Sequence, residues 1–186
     1  MVRSLAIMLL CTGLSLAQES FQERRLLASS MTISPSKMLN RDQSNIYLSG
    51  FLEWHFDANV SFRGDTYLFI DSNADDPFVY QAFRNYFGVQ YNHWTGNWVN
   101  SIGFQPGVTV MESNLVDENG LSHGSKLSPS MALRVGTSYY FWKYFHFFAN
   151  VSYTKSKLTG IPRSPHGTDE IFFSAGLGFQ IPTKKN

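Results

Sequence analysis

The chain has 186 residues, a length that suits one domain. Its formal net charge of +1 at pH 7 supplies neither the basic field expected of a nucleic-acid-binding protein nor an acidic field for binding cations broadly. Charged residues make up only 16% of the chain and aromatic residues another 16%, whereas soluble domains carry about 25% charged residues.

Residues 1–17 have the pattern of a secretory signal peptide. Arg3 gives a positive start, an uncharged apolar run occupies positions 5–16, and Ser15 and Ala17 form a small-x-small cleavage pattern. The apolar run is shorter than the about 20 residues of a spanning helix. We therefore predict cleavage near Ala17, export, and one mature domain over residues 18–186.

The only cysteine, Cys11, lies inside this predicted signal. The mature protein would then have no disulfide and no thiol chemistry. Lipid attachment at Cys11 is an alternative, but Leu10 stands where a small residue is needed. An uncleaved anchor is the other alternative.

The first predicted strand, at residues 26–34, has the weakest alternation of polar and apolar residues. Seven clearer strands follow it, and an antiparallel membrane barrel with both termini on one side has an even number of strands. We therefore include this segment as a strand, with residues 35–44 as an outside loop.

Strict alternation begins at Ile46. Over residues 46–56 the even positions are apolar or glycine, whereas the odd positions include Ser49 and Glu53. The same period of two returns in residues 60–70 and 127–141. This period is typical of strands that show different faces to different surroundings.

Four further segments complete the set, at residues 78–92, 98–110, 145–155 and 170–181. Most predicted strands exceed the about 5–6 residues usual in soluble domains and suit the about 9–11 of a tilted membrane-spanning strand. We therefore predict an all-β fold: a closed, antiparallel, up-and-down transmembrane β-barrel with eight strands.

Short and long connections alternate along the chain. Residues 57–59, 95–97 and 142–144 form tight turns, and residues 71–77, 111–126 and 156–169 form longer polar loops. Outer-membrane barrels have short periplasmic turns and longer outside loops. The four tryptophans, Trp54, Trp94, Trp98 and Trp142, lie at the short-turn end, where we expect an interfacial aromatic girdle.

The polar faces of the strands indicate a packed lumen. No lysine lies in the middle of a clear strand, and these faces carry mainly small or hydrogen-bonding residues. Their charges include both signs, as expected when buried charges are paired. We predict a structural network in the lumen formed by Glu53, Arg63, Asp65, Arg84 and Arg134.

The first clear hairpin has a predicted register. A three-residue turn at positions 57–59 places Glu53 opposite Arg63, with both side chains inward. A slip of one residue would put Arg63 opposite a lipid-facing position.

With these features the chain resembles the small outer-membrane β-barrels of the OmpA and OmpX type, whose lumens hold similar Glu/Arg networks. The stretch from Ser174 to Ile181 is similar to the terminal assembly signal of that family, which implies the barrel-assembly machinery as a partner. Residues 182–186 depart from the pattern, because the family often ends on its aromatic residue. The resemblance implies an outer-membrane location and outer-membrane lipid as a partner.

Several short motifs have weaker functional interpretations. Residues 120–124 match G-x-S-x-G around Ser122, but no helix pattern follows, as a nucleophile elbow requires. Residues 71–76 space carboxylates as a calcium loop does, without its glycine and distal glutamate. We favour flexible or solvated loops for both.

The five histidines show no metal-binding spacing; they are His55, His93, His123, His146 and His166. We expect His55 and His146 in the lumen, bonded to Ser61 and Tyr140. The stretch around His93 resembles the active-site stretch of lipid A deacylase barrels, but its position at the periplasmic rim argues against that activity. We predict no cofactor and no metal site.

The function predicted from these features is non-enzymatic: an integral outer-membrane barrel with a side-chain-filled lumen, serving envelope structure or surface interaction through its outside loops. One alternative is an outer-membrane lipid-modifying enzyme, for which no catalytic pair can be assembled. The other is a soluble, lipocalin-like ligand-binding barrel. The sequence of the exposed loops does not identify their external partner.

Overall fold

The computed structural model describes residues 26–75, 77–113, 125–156 and 168–183. These residues form eight strands: β1 (Leu26–Met38), β2 (Ser44–His55), β3 (Val60–Ser72), β4 (Val79–Thr95), β5 (Trp98–Ser113), β6 (Lys126–Tyr140), β7 (Phe145–Ser156) and β8 (Glu170–Pro182). Each pairs antiparallel with its sequence neighbours, and β8 pairs with β1 to close the barrel. The predicted eight-stranded closed barrel is confirmed. In the described ranges no helix is long and apolar enough to cross a membrane.

The strands are staggered around the barrel. A path from Leu27 that moves each time to the residue directly opposite on the next strand returns to β1 at Lys37, ten positions along the chain. Such a stagger goes with strands tilted by about 35–45° from the barrel axis. Eight strands at this tilt enclose an interior that side chains can fill.

The first strand is longer than predicted. The expected loop at residues 35–44 shrinks to residues 39–43, because the inward alternation of Ser34 and Ser36 continues to Met38. Pro35 faces outward within β1, although it has no N–H to donate. Nearby, the Ser30 and Thr32 hydroxyls donate to carbonyl oxygens of β8 at 3.0 and 2.8 Å.

The barrel has two different ends. We call the end with connections 56–59, 96–97 and 141–144 the short-turn end, and the other, with connections 39–43, 73–78, 114–125 and 157–169, the long-loop end. β1 begins and β8 finishes at the short-turn end. The predicted signal at residues 1–17 lies outside the described residues.

The turn between β4 and β5 depends on one glycine. Gly96 has φ of 60°, and it is the one residue with positive φ in the described chain. This left-handed conformation costs other L-residues about 1–2 kcal/mol, and two-residue hairpin turns commonly need it.

We expect Gly96→Val to lower the free energy of unfolding by about 1–2 kcal/mol, because Val cannot adopt this φ without strain. Urea unfolding in detergent micelles, followed by tryptophan fluorescence, measures the change. Gly96→Asn is the matched control, since Asn tolerates the left-handed region, and its loss should be smaller. Equal losses in the two variants would contradict this explanation.

Candidate functional site

The lumen contains most of the buried polar groups, and strand alternation places them there. Inward-facing residues alternate with outward ones in every strand. All five residues of the predicted network lie in the lumen and are at most 6% exposed; they are Glu53, Arg63, Asp65, Arg84 and Arg134. The structure divides them into two groups.

The first group, near the short-turn end, is centred on Arg63. Glu53 and Arg63 are directly opposite, in the predicted register. Arg63 Nη1 donates to Glu53 Oε2 at 2.9 Å, while Arg63 Nε and Nη2 donate to the Asp65 carboxylate at 2.9 and 2.8 Å. The Arg63 guanidinium also lies 3.5 Å from the centre of the Phe51 ring. One guanidinium therefore bonds to two buried carboxylates.

Arg134 joins this group through amides. Its Nη1 donates to Gln90 and its Nη2 to Asn150. Gln90 Nε2 in turn donates to Glu53 Oε1 at 2.8 Å. We call the four charged residues and Gln90 the short-turn network. It contains two carboxylates and two guanidinium groups, so its formal charges cancel.

The second group, toward the long-loop end, is an ion pair that we call the long-loop pair. Arg84 Nη2 lies 2.5 Å from Glu170 Oε2, and both side chains are fully buried. Glu170 also accepts hydrogen bonds from Ser36, from Asn45 at 2.9 Å and from the Tyr47 hydroxyl at 3.3 Å.

Sequence reasoning missed Glu170 as a network member. A signal was present, because Glu170 has the same parity as the inward residues Phe172 and Ser174 of β8. Its partner Arg84 lies on β4, across the lumen, so no hairpin register could pair the two residues.

An aromatic layer separates the two groups. The Tyr67 and Phe172 rings lie 4.4 Å apart, and Tyr47 packs on Phe172 at 5.0 Å. Phe51 and Phe148 form a second contact at 5.2 Å. No hydrogen bond between described residues links the short-turn network directly to the long-loop pair.

The short-turn end of the lumen is closed by a plug of Leu26, Trp94, Val99 and Tyr140. Trp94 packs on Tyr140 at 5.2 Å, and its Nε1 donates to the Ala58 carbonyl at 2.6 Å. The expectation of four girdle tryptophans is therefore wrong for Trp94, which has the inward parity of Arg84 on the same strand.

The lumen histidines have other partners than expected. His55 Nε2 lies 3.0 Å from Glu53 Oε1, whereas the Ser61 hydroxyl donates to that oxygen and accepts from Asn92. His146 Nδ1 lies 2.7 Å from Gln180 Oε1 and its ring stacks on Tyr140. Ring nitrogens of His55 and His146 therefore lie against Glu53 and Gln180, in addition to the stacking of His146 on its predicted neighbour Tyr140.

Of the remaining candidate motifs, only part lies among the described residues. His93 faces outward, and His123, His166 and the motif around Ser122 lie outside the described residues. Asp71 Oδ1 accepts a hydrogen bond from the Ser72 backbone N–H, and Asn73 Oδ1 accepts one from the Ser44 backbone N–H at the start of β2. Across the described ranges, no cluster of three or more His, Cys, Asp or Glu side chains could hold a metal ion.

Two inward glycines make room for these side chains. A Cβ at Gly136 would overlap Asn150 Oδ1, and a Cβ at Gly178 would overlap the His146 ring. The void beside Arg63, Asp65 and Tyr67 has a volume of only about 10 Å³, which is room for about one water. The lumen is thus filled by side chains.

The outer surface is apolar and has an aromatic rim. Outward residues such as Leu133, Val135 and Phe147 are 51–59% exposed. Trp54, Trp98 and Trp142 stand outward at or near the short-turn end and are 46%, 50% and 62% exposed. This arrangement, apolar outside and polar inside, is the reverse of a soluble ligand-binding barrel.

Comparison with known proteins identifies the fold. No protein-family model and no curated protein matches the chain. Among solved structures, the chain is similar to the N-terminal β-barrel domain of Pseudomonas aeruginosa OprF, with TM-score 0.56, 14% identity and coverage of 86% of this chain and 98% of that chain. The chain is also similar to Neisserial surface protein A, with TM-score 0.59, 11% identity and coverage of 85% of this chain and 96% of that chain.

A third similar structure is Ail, the attachment invasion locus protein of Yersinia pestis, solved with the heparin analogue sucrose octasulfate. Its TM-score is 0.53 at 14% identity, covering 86% of this chain and 99% of that chain. At these identities the likeness concerns the fold alone. The chain has the closed eight-stranded fold of small outer-membrane β-barrels.

Proposed function

We propose that this protein is an integral outer-membrane barrel that is non-enzymatic and carries its long loops at the cell surface, for envelope structure or surface interaction. The observation that supports it best is the lumen, where two hydrogen-bonded groups, an aromatic layer and a plug fill the interior. A filled lumen serves as a rigid scaffold and not as a diffusion pore.

The proposed orientation follows from the two ends of the barrel. Exposed tryptophans at the short-turn end suit the inner interface of the outer membrane. The short turns and the ends of β1 and β8 then face the periplasm, and the long loops face outside. Outer-membrane lipid covers the apolar band.

The terminal strand supports a role in assembly. From Ser174 to Ile181, the outward residues Ala175, Leu177, Phe179 and Ile181 alternate with inward polar residues and glycines. We propose that this strand is recognised by the barrel-assembly machinery.

The similar structures favour surface interaction among the possible roles. One is described as a surface protein and another as an attachment invasion locus protein that was solved with a heparin analogue. No comparable observation favours the lipid-modifying enzyme. The partner of the long loops in this chain would be a molecule of the cell exterior.

We expect the mature protein to fractionate with the outer membrane and to shift its gel mobility in SDS only after boiling. Complete pairing around the barrel leaves no strand edge for the detergent to open. In planar bilayers it should give no stable conductance steps, because the lumen is filled. A boiled sample is the control. Full solubility without detergent would refute the membrane placement, and a steady open channel would refute the filled scaffold.

A further inference from the structure

A polar pair lies on the outer surface of the barrel. Thr66 on β3 and Asn85 on β4 are directly opposite and face outward. The Thr66 hydroxyl donates to Asn85 Oδ1 at 2.7 Å. Both side chains remain partly exposed.

This pair lies at the level of the hydrocarbon. Thr66 is the middle residue of β3, and Asn85 stands between Phe83 and Phe87, which are 43% and 53% exposed. Among outward residues of the eight described strands that lie at least five positions from both strand ends, Thr66 and Asn85 alone are polar. The neighbouring surface is apolar and suits contact with lipid tails, whereas this pair is polar.

The Asn85 amide has unused hydrogen-bond donors. Its Oδ1 accepts from Thr66, while its Nδ2 donates to no acceptor among the described residues. Lipid tails offer no acceptor, and an unsatisfied polar group in hydrocarbon is costly. Polar residues at this depth face protein or water in most membrane proteins. An acceptor from a protein would satisfy the amide.

We infer that a second copy of this chain binds here, through a two-fold axis along the membrane normal. A carboxamide is self-complementary, since each Asn85 can donate one Nδ2 hydrogen to the other's Oδ1. A two-fold axis brings identical residues of both protomers together, and two barrels inserted in the same direction meet this requirement. The inference rests on the membrane placement proposed above.

The surface beside the pair allows a close approach. A depression of about 460 Å³ adjoins it, and its lining includes the small residues Gly50 and Thr66. Larger apolar side chains also line it, among them Leu48, Leu52, Leu68, Phe83 and Phe87. Small residues let membrane segments approach until their polar groups bond, so apolar side chains of the partner can pack here while the amides meet.

Energy transfer between labelled protomers tests this inference. For labelling, the mature protein receives one cysteine, Lys143→Cys, in an exposed turn. One sample carries the donor dye and another the acceptor dye, and the two are mixed in phosphatidylethanolamine–phosphatidylglycerol vesicles. We expect transfer above random proximity that falls as lipid is added. Asn85→Leu should weaken the association about tenfold, as expected for the loss of two hydrogen bonds in a membrane.

The matched control is Asn100→Leu, the same change at an outward amide two positions from Trp98, near the interface. It should leave the association unchanged. Energy transfer at the random level would overturn the inference, and so would equal association of Asn85→Leu and the unchanged protein. Either result would leave a lipid or another protein as the occupant of this surface. The boiling-dependent gel shift separates the causes: folded but monomeric barrels refute only the dimer, whereas failure to insert refutes the membrane placement too.

Discussion

Arg63→Ala should lower the free energy of unfolding by about 3–5 kcal/mol, because it removes the one cation that bonds directly to both buried carboxylates among the described residues. Glu53→Ala should cost less, since Arg63 keeps its bidentate bonds to Asp65. The double variant should be more stable than the sum of the two losses predicts. Urea unfolding of the barrel in detergent micelles measures all three.

Ser128→Ala is the control for this cycle. Ser128 is buried in the lumen and its hydroxyl has no hydrogen-bond partner among the described residues, so we expect little or no loss. Strictly additive losses of Glu53→Ala and Arg63→Ala would show that the two side chains are not coupled.

The second large effect concerns the long-loop pair. Glu170→Met should also cost about 3–5 kcal/mol, because the buried Arg84 loses its carboxylate partner and retains weaker contacts, such as the 3.4 Å contact to Thr154. Arg84→Met should cost less, since Glu170 retains donors from Ser36, Asn45 and Tyr47. The double variant should recover part of the loss, because two apolar side chains can replace a buried pair.

Combining one variant from each of the two double-mutant cycles tests whether the aromatic layer separates the short-turn network from the long-loop pair energetically. Glu53→Ala and Glu170→Met should add within about 0.5 kcal/mol, as expected for groups without shared partners. Strong coupling between them would mean that the lumen behaves as a single network. A loss below 1 kcal/mol for Glu170→Met would show that Arg84 is not desolvated as the structure indicates.

The outcome for individual residues shows which properties of a barrel are local. The facing of Glu53 and Arg63 follows from a period of two and a short turn, both of which are local. The Arg84–Glu170 contact crosses the lumen between β4 and β8, so it depends on closure and stagger, which no short segment encodes. Trp94 shows a different limit: its position near the turn suggests the interface, but the alternation along β4 points its side chain inward.

The inward glycines limit how this barrel can change in evolution. Asn150 and His146 occupy the space that side chains at Gly136 and Gly178 would need, so these positions can enlarge only if a second residue shrinks. Outward positions can exchange one apolar residue for another without such compensation. Substitutions should therefore accumulate at the outward positions of each strand. Substitutions in the lumen should occur as correlated pairs on neighbouring strands.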